Sequence, residues 1–368
     1  MSGRVIRYFA GGNTARGFYS LFDSSLKNLD RIFILKGGPG TGKSTLIKAI
    51  GNDWSEKGYD IELLHCASDP DSVDGVIIPS LKVGIVDGTA PHIIEPKLPG
   101  AVEEYINLGE AWDSKGLAAR KTEIIELSKQ VSESFQNAYK TYGVALKVHD
   151  EWEEIYSRGM DIEKANQLTQ RLIARFFEGI SLNKPSKVQH RFLGAATPIG
   201  AVDFIPNLTE EIPKRYFIKG RPGCGKSTML KKIAAEGEKR GFDLEIYHCG
   251  FDPHSLDMII IRELGIAIFD STAPHEYFPS RDSDEIIELY GSVIKEDTDE
   301  LYEQEINECK LKYRELMDQG KGFLAQAKSL REKLEAIYIE NMDFTVVEKH
   351  QQRIQNEIEY ISREKNKE

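Results

Sequence analysis

Gly37-Gly38-Pro39-Gly40-Thr41-Gly42-Lys43-Ser44-Thr45 is the stretch that decides how this 368-residue chain reads. It follows a short apolar run, Ile32 to Lys36, that reads as a buried strand, and it leads into a helix from Ser44 to about Lys57. The pattern Gly-x-x-x-x-Gly-Lys-Ser between a strand and a helix is built for phosphate. Glycines let successive backbone N–H groups converge on an anion at a helix N-terminus, where the helix dipole favours negative charge. A lysine at the position of Lys43 reaches the β and γ oxygens of a triphosphate, and a hydroxyl at Ser44 ligates Mg²⁺. The loop returns as Gly220-Arg221-Pro222-Gly223-Cys224-Gly225-Lys226-Ser227-Thr228, behind Phe217 to Lys219. A single chance match to four fixed positions arises in about 1–2% of chains of this length, and two in register far more rarely.

The two loops belong to a larger repeat. Shifting the sequence by 183 residues aligns Arg31 to His92 with Lys214 to His275 without a gap, and 28 of the 62 positions are identical. Unrelated sequences of ordinary composition would share about 4. The chain is therefore a tandem duplication. Matched landmarks are His65-Cys66 with His248-Cys249, Asp69-Pro70 with Asp252-Pro253, Asp74 with Asp257, and Asp87-x-Thr-Ala-Pro-His92 with Asp270-x-Thr-Ala-Pro-His275.

Beyond each repeated core the chain turns acidic. Residues 282–368 hold 22 acids and 13 bases, and residues 101–184 hold 14 and 11, so these two segments carry -12 between them and the rest of the chain, at +1, brings the net charge to -11. In the first, Ile124, Leu127, Val131, Ser134, Ala138, Thr141, Ala145, Val148, Trp152 and Ile155 step by three and four; Ile306 to Ile337 repeat the pattern 182 residues later. Such a stripe predicts a long helix packed along one face. Each ends at a matched break, where Asp161 and Asp343 are placed to cap a shorter return helix. The expected fold is α/β: two tandem cores with mainly parallel sheets, each followed by a long antiparallel helical hairpin. The expected boundaries are 1–100 and 185–281 for the cores, and 101–184 and 282–368 for the hairpins.

The apolar runs Val83 to Val86 and Ile266 to Phe269 end in Asp87 and Asp270. These acids stand where a second Mg²⁺-associated carboxylate belongs in a protein with such a loop. The glycine loops and strand-end acids resemble those of the P-loop NTPase superfamily, and the whole layout resembles a bacterial family of tandem-duplicated P-loop proteins with ATPase or nucleotide-kinase character. The resemblance implies phosphate binding by Gly37, Gly38, Pro39, Gly40, Thr41, Gly42, Lys43, Ser44 and Thr45, and by Gly220, Arg221, Pro222, Gly223, Cys224, Gly225, Lys226, Ser227 and Thr228. It implies Mg²⁺ association for Ser44, Asp87, Ser227 and Asp270, with ATP as the nucleotide. One departure bears on rate. Many mechanical ATPases follow the strand-end Asp with a Glu that positions water, whereas this chain has Gly88 and Ser271 at those positions.

Asp69, Asp252, His92 and His275 are the candidates to take over that role, alongside Lys43 and Lys226, because a carboxylate or imidazole can polarise water or an acceptor hydroxyl. Against this stands a plainer reading, in which Asp-Pro starts a turn, Asp74 caps a helix and the histidines satisfy backbone groups. A metal shared by His65-Cys66 and His248-Cys249 lacks any further ligand pair. Lys36 with Lys219, and Arg171 with Arg353 on the return helices, are candidates for charge stabilisation in trans. Four scattered cysteines argue against a disulfide scaffold, no segment is apolar enough to span a membrane, and a pI near 5.4 disfavours bulk nucleic-acid binding. A cytoplasmic, slow ATPase is expected, with two ATP–Mg²⁺ sites, an intrachain pseudo-dimer of its halves, and a protein partner bound through its arms. A phosphotransferase acting on a nucleotide or small molecule is the alternative, and a nucleotide-gated scaffold without turnover is another.

Overall fold

Ile32 to Leu35 and Phe217 to Ile218 are buried, as an apolar run must be when both faces of its strand are covered. In the computed structural model, which describes residues 2–367, these runs sit inside one mixed α/β sheet. The first half runs β1 (Val5–Phe9), a hairpin of β2 (Gly11–Thr14) and β3 (Gly17–Ser20), α1 (Phe22–Ser25), β4 (Arg31–Lys36), α2 (Lys43–Glu56), β5 (Ile61–Cys66), β6 (Asp69–Ile78), β7 (Val83–Asp87) and β8 (Glu103–Asn107). Then come α3 (Ser114–Ala119), the 38-residue α4 (Lys121–Arg158) and α5 (Ile162–Phe177). The second half repeats the plan with β9 (Val188–Phe192), β10 (Gly194–Thr197), β11 (Gly200–Asp203), α6 (Ile205–Leu208), β12 (Lys214–Lys219), α7 (Lys226–Lys239), β13 (Leu244–His248), β14 (Leu256–Ile261), β15 (Ile266–Asp270) and β16 (Glu285–Glu288). It closes with α8 (Tyr290–Val293), α9 (Thr298–Leu301), the 37-residue α10 (Glu303–Ile339) and α11 (Phe344–Lys365).

The large sheet has 12 strands in the order β16-β12-β15-β14-β13-β9-β1-β5-β6-β7-β4-β8, so each half supplies six in mirrored order. The halves join where β1 meets β9 antiparallel at Phe9 and Phe192. Beneath that junction Arg191, 1% exposed, lies 2.9 Å from Glu62 of β5 and 3.8 Å from Glu245 of β13, with its guanidinium 4.2 Å from the centre of the Tyr8 ring. Glu62 and Glu245 occupy equivalent places in the repeat, and one arginine serves both.

The structure corrects three expectations. The cores extend past their expected ends, because the acidic segments Glu103–Asn107 and Glu285–Glu288 add as parallel edge strands to β4 and β12. An edge strand tolerates polar residues, here Glu104 bound by Arg31 and Arg353 on one face and the exposed Tyr105 on the other, so its composition reads as solvated arm. Second, Asp74 caps no helix: it lies within β6, and Asp257 within β14, the strand of each half that runs antiparallel to both neighbours in a mostly parallel mixed sheet.

Third, the long helices do not fold back on their own return helices. α4 lies antiparallel to α10 of the other half, with Tyr142 against Gly320, His149 against Tyr313 and Arg120 bound to Glu340. The heptad stripe is thus a seam between halves. α5 lands on the second core, where Leu172, Phe176 and Phe177 pack with Met229, Ile233 and Phe242. α11 lands on the first, where Val347, Ile354 and Ile358 pack with Leu46, Ile50 and Trp54. The expected caps are present: the Asp161 carboxylate accepts from the Lys164 N–H and that of Asp343 from the Thr345 N–H.

Candidate functional site

The two glycine loops join β4 to α2 and β12 to α7, at the C-terminal ends of parallel strands. Gly42 and Gly225, at φ +80° and +83°, precede the helices with no side-chain cap, and Gly40 and Gly223 are also left-handed at +69° and +74°. Glycine takes this conformation without a Cβ penalty. The first N–H groups of α2 and α7 are therefore left for a ligand, in the most favourable part of the helix dipole.

Around each loop the same four groups converge. Lys43 Nζ donates to the carbonyls of Gly37 at 2.9 Å and Gly38 at 2.8 Å, and stands 3.7 Å from Asp87 Oδ2. Lys226 Nζ donates to Gly220 at 3.2 Å and Arg221 at 3.1 Å, 3.5 Å from Asp270 Oδ2. Asp87 sits at the end of β7, in register with Leu35 of β4, and Asp270 stands opposite Ile218 in the same way. One oxygen of each acid is fixed by the N–H and hydroxyl of Thr89 or Thr272, which leaves the other facing lysine. The Ser44 and Ser227 hydroxyl oxygens accept only the N–H of Val73 at 3.0 Å and of Leu256 at 2.9 Å. A lone pair stays free on each.

These residues fit a Mg²⁺-bound triphosphate. The cradle is kept open by the absence of side chains, since a Cβ on Gly37 would come 2.8 Å from Thr41 Oγ1. Ser44 with Asp87, and Ser227 with Asp270, are hard oxygen donors of the kind Mg²⁺ takes, while Lys43 and Lys226 match phosphate charge. Thr41 and Cys224 differ between the copies and both lie under the loop, where Thr41 donates to the Gly38 carbonyl. Burial lowers the Lys43 pKa, with Asp87 opposing and Arg331 reinforcing that shift.

Each loop is covered by the other half of the chain. A Cβ on Gly40 would lie 2.6 Å from the Glu335 carbonyl of α10, and one on Gly38 would lie 3.2 Å from the Tyr338 ring. At the second loop a Cβ on Gly223 would lie 2.2 Å from the Glu153 carbonyl of α4, and Ser157 Oγ donates to the Gly223 carbonyl at 3.4 Å. Glu335 and Glu153 are the same position of the repeat. The match was visible in the sequence, but nothing there showed that each helix serves the opposite loop.

The remaining candidates divide. Asp69 holds Lys328 of α10 at 3.1 Å and accepts from Ser72, while Asp252 accepts from Arg16 of the β2–β3 turn at 2.8 Å. Both carboxylates bridge the halves. The His92 side chain is buried, 3.3 Å from Asp74, and His275 binds Asp203 at 2.8 Å. His65 and His248 tie down their loops through the carbonyls of Pro70 and Pro253. Lys36 and Lys219 likewise brace the segment after the strand-end acid, by donating to Gly88 and Ile94 and to Ser271 and Tyr277. Arg353 binds Glu104 on the edge strand β8, and Arg171 lines a cleft against β16. None of these four cations faces a glycine loop. Among the described residues one set of three possible metal ligands converges, His149, Asp150 and Glu153, on α4. No helix there is long and apolar enough to cross a membrane.

Comparison with protein-family models, with curated proteins and with solved structures gives no match for this chain.

The matched acids Asp74 and Asp257 are both buried, yet they differ. Burial raises the pKa of each. For Asp74 the ring of His92, the Cys66 thiol and Arg331 outweigh burial and hold the carboxyl below its usual value; for Asp257 burial prevails, Asp270 adds to it, and the pKa is pushed up to about 6. A raised acid stabilises the fold fully below its unfolded value near 3.8, and that contribution is lost as pH rises through 6. Asp257→Asn should therefore melt higher than the parent at pH 8, by on the order of 2–3 kcal/mol, and with the parent at pH 4. Thermal melts of the nucleotide-free protein at the two pH values check this; an equal shift at both would contradict it.

Proposed function

We propose that the chain binds ATP with Mg²⁺ at both glycine loops, hydrolyses it slowly, and uses the nucleotide state to set how its halves grip each other and a protein partner. On this reading the chain is similar to P-loop NTPases, with two cores in one polypeptide. The observation that carries the proposal is that each loop lies directly under a helix of the opposite half, Glu335 over Gly40 and Glu153 over Gly223. A phosphate entering either cradle must meet both halves, so its binding energy is coupled to the α4–α10 seam.

The geometry supports the following roles. The backbone N–H groups before α2 and α7 hold the phosphates, and Lys43 and Lys226 turn from loop carbonyls to the terminal oxygens. Ser44, Asp87, Ser227 and Asp270 hold Mg²⁺, which when bound neutralises the charge that builds on the phosphates. Slow turnover is favoured by the residues next in the chain to the strand-end acids. Gly88 has no side chain, and the Ser271 hydroxyl is occupied with the Tyr277 backbone, so neither orients water.

Purified protein incubated with ATP and Mg²⁺, alone and with nucleoside monophosphates, tests the reading. Slow phosphate release with two ATP bound per chain is expected. Lys43→Ala and Lys226→Ala should each weaken one site roughly tenfold or more, as the loss of a charged hydrogen-bond donor would. ADP formed only when an acceptor is present would point to a phosphotransferase instead, and no binding at all would end the proposal.

A further inference from the structure

The helices that cover the two loops are matched in the repeat, but the side chains they bring differ. Four residues before Glu335, one helical turn away on the same face, stands Arg331, with its Nε 3.2 Å from Glu335 Oε1. Seven residues before Glu335 stands Lys328, bound to Asp69. Arg331 is half-buried, and its charge acts on Asp74, Asp87 and Lys43. At the second loop the corresponding residues are His149, four before Glu153, and Leu146, seven before it. His149 sits in an aromatic nest, 5.5 Å from the Tyr313 ring, 6.1 Å from Trp152 and 6.4 Å from Phe251. Its Nδ1 lies 3.8 Å from Glu153 Oε1 on the same helix. Asp252 takes its cation from Arg16 instead, on a turn outside α4. The first site therefore receives a guanidinium and an ammonium from the opposite half's long helix, and the second receives an imidazole and an aliphatic chain.

Charge spreads over the γ-phosphoryl oxygens during transfer, and a fixed guanidinium supplied from another subunit or half stabilises it strongly. Resting on the two-site ATP reading above, we propose that the sites are unequal: Arg331, delivered in trans by α10, makes the first loop the site of turnover, while the second loop, under His149, retains ATP as a structural ligand. At the first site a water oxygen bonds to the γ-phosphorus as the bond from that phosphorus to the β–γ bridging oxygen breaks. The electron pair leaves with ADP, and the proton of the water passes to the released phosphate.

Protein loaded with two equivalents of γ-labelled ATP, then mixed with Mg²⁺ and excess unlabelled ATP, reads this directly. Half of the bound label should be released in a fast phase and half at least tenfold more slowly. In Arg331→Gln the fast phase should fall at least tenfold while two nucleotides stay bound, and Arg331→Lys should recover part of it. Release of all the label in one phase by the parent, or a fast phase unchanged in Arg331→Gln, overturns the inequality of the sites and leaves ATP binding standing. A parent protein that binds no nucleotide removes the two-site reading itself, and the proposal with it.

Discussion

Arg191→Met should cost the fold about 3–5 kcal/mol, the range seen when one partner of a buried ion pair is removed. Methionine matches the stem of arginine in length and flexibility, so the change is one of charge more than volume. What remains are the Glu62 and Glu245 carboxylates, equivalent across the junction and both anchored by their own tyrosines, Tyr8 at 2.7 Å and Tyr247 at 2.8 Å. Glu245 keeps Arg262, whereas Glu62 loses both of its bonds to the Arg191 Nη2, at 2.9 and 3.0 Å. Most of the cost should therefore fall on Glu62. Arg191→Met combined with Glu62→Gln should recover a large part of the loss, since it removes the uncompensated charge. Urea titrations of the parent, both single variants and the double variant measure the coupling. A loss below about 1 kcal/mol in Arg191→Met would mean that the junction is held by its apolar residues alone.

Gly223→Ala should be the most damaging small substitution near either loop. The residue is left-handed, which costs a Cβ-bearing residue about 1–2 kcal/mol. Its new methyl would stand 2.2 Å from the Glu153 carbonyl oxygen and 3.0 Å from the Glu153 Cα, backbone atoms in the middle of a helix turn that no rotamer change can move. α4 must retreat along its seam with α10, at a further cost of about 1–3 kcal/mol typical of overpacking. The expected result is a lower melting temperature and a fall from two bound nucleotides to one. Gly291→Ala, where nothing lies within 4 Å of the added methyl, is the control and should leave both unchanged. If Gly223→Ala melts with the parent and binds two nucleotides, α4 does not rest on the loop in solution.

Much of the fold and of the site was legible in the sequence because it is local. The strands before each loop, the left-handed glycines, the acids ending β7 and β15, and the caps Asp161 and Asp343 all depend on residues within a few positions of one another. The duplication was equally plain, and with it the expectation that the halves would pair. What the sequence hid depends on distance. A heptad stripe states that a helix has a partner but not which one, and Ile124 to Ile155 would suit α5 as well as α10. Edge strands such as Glu103–Asn107 satisfy one face with water and so look like the acidic arms beyond them. Arg331 carried no signal of its own, since charged residues beside a seam are ordinary on a solvated helix. Only the crossing of α10 to the opposite core gives it a site to face.

That crossing also has a consequence for synthesis. The first core is translated before α11, yet Leu46, Ile50 and Trp54 find their final cover only in Val347, Ile354 and Ile358. Chain emerging from a ribosome at roughly 5–20 residues per second leaves this apolar face uncovered for some 15–60 s while the rest is made. The first core is thus made well before the helix that finishes it. During that interval it presents to the cell the kind of surface that chaperones hold.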